Sequence, residues 1–320
     1  ASLEEFKLDL FSPLGKDVLS NIRGTASGNF KLSGNMNNPD MIGALKLKDA
    51  GLRFPYLNVD FDFVGDPEVD LLQQSFMFND LSLIDSKHDT KSTLRGSISH
   101  YKFRDWSLDL IIDSDRLLAL DTPESELALF YGTAFIDGSA NIHGATSNLT
   151  IDVNAKTLTG TRFIIPLSDV KTVESSNLIY FIDRKKENTE ASFEEIFQLE
   201  QVKGLDLNFN LEVTKDAVAE IVIDKSSGSS LKGSGAGDLI LEIDTKGKFN
   251  MFGDFTIENG IYNFSYGGII NKPFTAKKGG VISWSGSPYL ADLNIEAVHT
   301  VYANPKSLLE NINTNRRMGI

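Results

Sequence analysis

The chain has 320 residues, a formal net charge of −13 at pH 7 and no cysteine. That balance argues against a nucleic-acid binder, which needs clustered Lys and Arg to neutralise phosphates, and against electrostatic adhesion to an anionic lipid surface. The lack of cysteine excludes disulfides and thiolate metal sites. No segment approaches the ~20 consecutive apolar residues of a membrane-spanning helix. The opening Ala1-Ser2-Leu3-Glu4-Glu5 is not a basic start followed by an apolar core, so the chain reads as either soluble or part of something anchored elsewhere.

Alternating strands begin at once, with Phe6/Leu8/Leu10, then Leu57/Val59/Phe61/Phe63, Trp106/Leu108/Leu110 and Leu149/Ile151/Val153. Their turns are rich in Gly, Asn, Asp and Ser, as in Gly34 to Pro39 and Gly144 to Asn148. Thr122 to Gly132 predicts a short helix, with an N-cap hydroxyl, Pro123 at the first helical position and Gly132 as a stop. Its stripe Leu127/Phe130/Tyr131 would plug or cover an apolar face. Asp183 to Glu190 reads as a solvated loop, and Ser192-Phe-Glu-Glu195 as a capping box opening a helix to about Leu199. A strand follows with Leu205, Leu207, Phe209, Leu211 and Val213 on one side and Asp206, Asn208, Asn210 and Glu212 on the other. Gly228 to Gly237 lacks a phosphate-loop Lys-Ser/Thr and precedes a strand, so it reads as a flexible turn; Leu239, Leu241 and Ile243 continue the apolar side. Asn304-Pro305 predicts a last short helix to about Ile312.

Residues 246 to 302 alternate through several strands broken by Gly-rich turns. Phe249/Met251, Phe255/Ile257, Tyr262/Phe264, Ile282/Trp284 and Leu293/Ile295/Ala297 lie on one side, with Thr256, Glu258, Ser283 and Glu296 among the polar residues on the other. Gly-turn-strand segments at Gly34, Gly144 and Gly286 form a weak repeat. Length alone suggests about two domains, but the pattern predicts one continuous elongated β domain over residues 1–320.

Catalytic constellations are poor. His88, His100, His143 and His299 lie far apart with no second ligand at metal spacing. Asp60/Asp62 and Asp113/Asp115 could seed a calcium site but read as solvated faces, and there is no G-x-S-x-G elbow. The expectation is no enzyme activity, no cofactor and no metal.

The spacing M-x-G-x-F-x-I-x-x-G-x-Y-x-F (Met251 to Phe264), followed by I-N-K-x-F (Ile270 to Phe274) and G-x-I-x-W-x-G-x-P (Gly280 to Pro288), resembles the C-terminal region of the TamB family, the translocation and assembly module subunit, in its Bacteroidota form. The resemblance covers residues 230 to 312 strongly and 20 to 182 more loosely; Val298-His299 depart from the family, which often has Tyr there. It implies the C-terminal part of a longer periplasmic chain whose inner-membrane anchor lies outside this segment. It also implies a U-shaped, taco-like β-sheet with an apolar groove, related to AsmA-like lipid bridges, that conducts phospholipid between inner and outer membrane. The groove would be lined by Leu205, Leu207, Phe209, Leu211, Val213, Leu239, Leu241, Ile243, Phe255, Ile257, Phe264, Ile282, Trp284, Leu293 and Ile295. The implied alternative is a scaffold for outer-membrane protein assembly. It would offer an edge at Leu293, Ile295, Ala297 and Val301 to a TamA- or BamA-like barrel by strand addition. Alternation by itself is shared by an open groove and a closed sandwich core.

Overall fold

The computed structural model describes residues 1–14, 19–35, 38–125, 128–166, 204–245, 247–266, 270–303 and 318–319. They are all-β: one 19-stranded sheet, a separate two-stranded ladder and two short 3-10 segments. β1 (Ser2–Lys7) pairs with β2 (Ser20–Asn35), and β2 with β3 (Asn38–Phe54). Two shorter strands laid end to end, β4 (Val59–Phe63) and β5 (Glu68–Gln73), share the far side of β3. A meander follows through β6 (Ser75–Asp85), β7 (Lys91–Tyr101), β8 (Asp105–Thr122) and β9 (Tyr131–Ala145).

The broken-strand device then repeats. β10 (Asn148–Thr157) and β11 (Arg162–Pro166) share β9, while β12 (Leu205–Val213) and β13 (Val218–Asp224) lie beside them. These two contacts are parallel, and every other pairing among the described strands is antiparallel. β14 (Ser229–Asp244) and β15 (Phe249–Tyr266) come next. β16 (Ile270–Ala276) and β17 (Val281–Gly286) share β15 and carry the short edge strands β19 (Ala297–Val298) and β18 (Asp292–Asn294). β20 (Tyr302–Ala303) and β21 (Met318–Gly319) pair with each other.

The breaks are in line. Between the pairs Ile136↔Thr157 and Thr133↔Arg162, the chain Leu158–Thr161 leaves the ladder. The parallel neighbour breaks at the same level, between Glu212 and Val218, and β14 and β15 slip register opposite it at Ser234/Gly235. Beyond them β16 ends at Ala276 and β17 resumes at Val281. A crease therefore crosses the sheet from β9 to the C-terminal edge, as expected where bulges accumulate and bend successive strands. A shorter crease crosses the N-terminal half at Val64–Pro67 and the slip between Phe78 and Leu81.

Threonine hydroxyls replace ladder bonds lost at the crease. Thr161 Oγ1 accepts from Phe135 N at 3.0 Å and donates to Phe135 O at 2.9 Å. Thr157 Oγ1 accepts from Thr214 N at 2.9 Å, and Thr214 Oγ1 donates to Thr157 O at 2.9 Å. Buried backbone donors left without such partners would be costly.

The slip on β15 also explains a change of parity in the sequence. Ile257 pairs with Gly235 but Asn259 with Ser234, so Glu258 is an extra residue. Odd positions, Phe255 and Ile257, face the interior before it, and even positions, Gly260 and Tyr262, after it.

Two expectations are corrected. Thr122 to Gly132 forms no helix in its described residues: β8 runs to Thr122 and β9 starts at Tyr131, which pairs with Ile164. Cross-strand pairing outweighs the local capping signals there. Gly228 to Gly237 is not a flexible turn, because β14 begins at Ser229 and runs through it. At Gly235 a Cβ would sit 2.6 Å from Phe255 Cζ, so the glycine lets that ring lie against the strand. The predicted loop 183–190 and helices 192–199 and 305–312 lie outside the described residues.

The interior face holds one large apolar core from Phe54 to Trp284 and a smaller one around Met41, Leu45, Val69 and Leu71. The outer face is tied by polar rungs across the parallel contact. Asn208 Nδ2 donates to Asp152 Oδ1 at 2.8 Å, Asn210 Nδ2 to Asn154 Oδ1 at 3.4 Å, and Lys156 Nζ reaches Glu212 Oε1 at 2.8 Å.

In the β6–β7 turn Asp85 has no exposed surface. Burial pushes its carboxyl pKa up, but hydrogen bonds from the Thr90 hydroxyl and from the amides of His88, Thr90 and Lys87 outweigh this and hold it below the usual range. A depressed folded value stabilises above the unfolded value of ~3.9 and loses that contribution as pH falls through the folded one. Asp85→Asn is expected to lower stability at pH 7 by about 1–3 kcal/mol. It should also flatten the fall of the melting temperature below about pH 4, measured by thermal melts across pH.

Candidate functional site: an apolar cavity at the crease

The interior angle of the crease encloses a cavity of about 160 Å³. β8 to β15 and β17 all contribute to its wall, from both sides of the bend. Phe130, just before β9, packs into this interior against Phe163 at 5.3 Å, Phe249 at 6.1 Å and Tyr56 at 6.3 Å between ring centres. Tyr56 belongs to the β3–β4 turn, which docks through Asp121 N donating to Leu57 O at 3.0 Å. Strands remote in sheet order therefore meet across the lumen.

Four lining residues carry polar side-chain atoms, and each is already engaged, with Trp284 Nε1 donating to Pro288 O at 3.3 Å. Thr157 and Thr161 make the crease bonds described above. Glu220 Oε2 accepts from Arg162 Nη2 at 2.7 Å. The remaining lining is Leu, Ile, Val, Ala, Phe, Met and Gly. Burial pushes the nearby Tyr56 hydroxyl up to about 12, with the Asp244 carboxylate adding to the shift, so no phenolate forms there at neutral pH. The surface offered to an occupant is carbon, suited to an apolar guest and poorly suited to acid–base chemistry.

Of the residues predicted from sequence to line a groove, Phe209, Leu211, Val213, Leu239, Leu241, Ile243, Phe255, Ile257, Ile282 and Trp284 line the cavity. Leu205 and Leu207 are sealed in the core outside that lining, Leu207 with 1% of its surface exposed. Phe264 is half-buried beyond the bulge, 6.3 Å from the Tyr262 ring, and Ile295 packs on the core from the edge. Leu293 pairs with Ile282 but is 62% exposed, on the rim. Ala297 and Val301 are also exposed near this edge. Sequence reasoning missed the opposite wall, Leu57, Ala119, Ile136 and Phe163, and also Ile221 and Leu231 beyond the crease on the near side. The alternation through Leu149, Ile151 and Val153 was the available signal, since Val153 joins that wall.

Arginines engage both carboxylates of one acidic pair and one of the other. Arg23 bridges Asp60 and Asp62, and Arg95 Nη1 meets Asp113 Oδ2 at 2.5 Å. His143 Nε2 lies 2.8 Å from Asp152 Oδ2. Among the described residues no group of three or more His, Asp or Glu could hold a metal ion, and no helix is long and apolar enough to cross a membrane.

A creased, mainly antiparallel sheet wrapped around a carbon-lined lumen defines the class of this chain. A family model for the TamB C-terminal domain matches residues 82–318, and the chain belongs to that family. No curated protein and no solved structure matches it.

Proposed function

We propose that this chain is a non-enzymatic periplasmic bridge that conducts phospholipid between the inner and outer membranes, in support of outer-membrane biogenesis. The observation that carries the reading is the cavity at the crease, whose few polar lining atoms already have partners. Carrying a diacyl lipid through water exposes on the order of 30 methylenes at ~0.8 kcal/mol each, or ~25 kcal/mol. A continuous apolar lumen removes that barrier. Tails lie against the lumen, and head groups stay on the open side, where Leu211, Val213 and Ile221 are only half-buried. One acyl chain spans about half of a ~30 Å hydrocarbon core, a length that five residues of strand cover.

A second reading rests on the C-terminal edge. β18 and β19 are only three and two residues long, and Leu293, Val298 and Val301 beside them are 62%, 43% and 48% exposed. Such an edge suits strand addition by the periplasmic domain of a TamA- or BamA-like barrel, making the chain an assembly scaffold. Native mass spectrometry of the purified protein separates the two. Bound phospholipid, displaced by a competing lipid, is the expected result. Protein free of lipid that crosslinks from Val298 to the barrel overturns the conduit and leaves the scaffold.

A further inference from the structure

A second chamber of about 40 Å³ adjoins the first, lined by Leu, Ile, Val, Ala and Phe alone. Five residues belong to both walls: Leu57, Ala119, Ile136, Val153 and Phe209. Phe209 is the only aromatic among them. It is also the only residue that β12 or any later strand contributes to the smaller chamber. Its register is fixed on both sides, opposite Val153 on β10 and Leu241 on β14. The ring thus stands as a partition between two apolar spaces, and its half-buried side chain has no polar group to satisfy.

Resting on the conduit reading, we propose that Phe209 sets the length of acyl chain the lumen accommodates. The larger chamber is close in volume to an engineered apolar cavity of ~150 Å³ that stays dry and takes a single benzene. It has room for the terminal carbons of one hydrocarbon chain, not for a cluster of tails. Its wall carries Glu220 with Arg162, whereas the smaller chamber has no polar residue. A chain that enters the larger chamber tail first therefore carries its terminal methyl towards the wholly apolar boundary at Phe209. The ring decides whether that methyl stops in the first chamber or enters the second.

The test is a chain-length profile. Delipidated wild type, Phe209→Ala and Phe209→Trp are each offered an equimolar mixture of phosphatidylethanolamines with acyl chains of increasing length. Bound species are then read by native mass spectrometry. Phe209→Ala joins the chambers and should shift the preference to longer chains, by about fourfold in affinity for each methylene newly buried. Phe209→Trp fills the partition and should shift it to shorter ones. Phe209→Leu carries the test if the alanine variant does not fold. Unchanged profiles in folded variants overturn the ruler while leaving the conduit standing. Failure of wild type to bind any of the lipids overturns the conduit itself.

Discussion

Leu207→Arg is expected to unfold the protein, and Leu211→Arg, four residues along the same strand face, to fold and lose lipid transfer. Leu207 is 1% exposed and walled in by the core, so an arginine there is an unpaired buried charge costing several kcal/mol, on the order of 4 or more. Leu211 is half-buried on the open side of the lumen, where a long side chain extends its guanidinium to water and spares the fold. On the proposed conduit the same cation stands in the path of the tails. Circular dichroism melts and a vesicle-to-vesicle lipid transfer assay read the two outcomes. A folded Leu207→Arg variant would show that the core is looser than described. Full transfer by folded Leu211→Arg would sink the conduit at that position.

Thr157→Val combined with Thr161→Val should be nearly as damaging, although each swap preserves shape. It strips the acceptors from Phe135 N and Thr214 N at the bend, at about 1–3 kcal/mol for each orphaned donor. Phe135 O keeps a second donor, Leu158 N at 2.9 Å, so the carbonyl side is spared. Serine at both positions retains the hydroxyls and should melt close to wild type. If the valine and serine pairs melt alike, the hydroxyls are not what holds the crease.

Much of the architecture could be read from alternation, because a strand with one wet face repeats every two residues. Leu205, Leu207, Phe209, Leu211 and Val213, and Phe249, Met251, Phe255 and Ile257, are more buried than the polar residues between them. Even the bulge at Glu258 is visible as the step of three from Ile257 to Gly260, where alternation steps by two. Thr122 to Gly132 misled because capping preferences are local and weak, whereas Tyr131 is committed to a partner on β11 and Phe130 to rings on three other segments. The crease was hidden for a related reason. Each break looks like an ordinary turn, and only registers between strands far apart in sequence show that the breaks align. The far wall was missed because its residues meet the lumen only through that bend. Leu207 and Leu211 share a strand face, and alternation could not show that one is sealed and the other open.

The parallel contact between β10 and β12 has a kinetic meaning. Outside this seam, which the parallel β11–β13 contact continues, most pairs join consecutive or next-but-one strands, so each side can zip up with less loop entropy to overcome. At this contact Leu149 must find Leu205 and Lys156 must find Glu212 across a long excursion of the chain. Parallel ladders are also slightly weaker per residue. The two meanders are therefore expected to form first and the seam between them to close last, so the wall contributed by β12 to β17 joins that of β8 to β11 only at the end of folding. The lumen is an assembled product of two half-sheets, and until they meet neither half encloses anything.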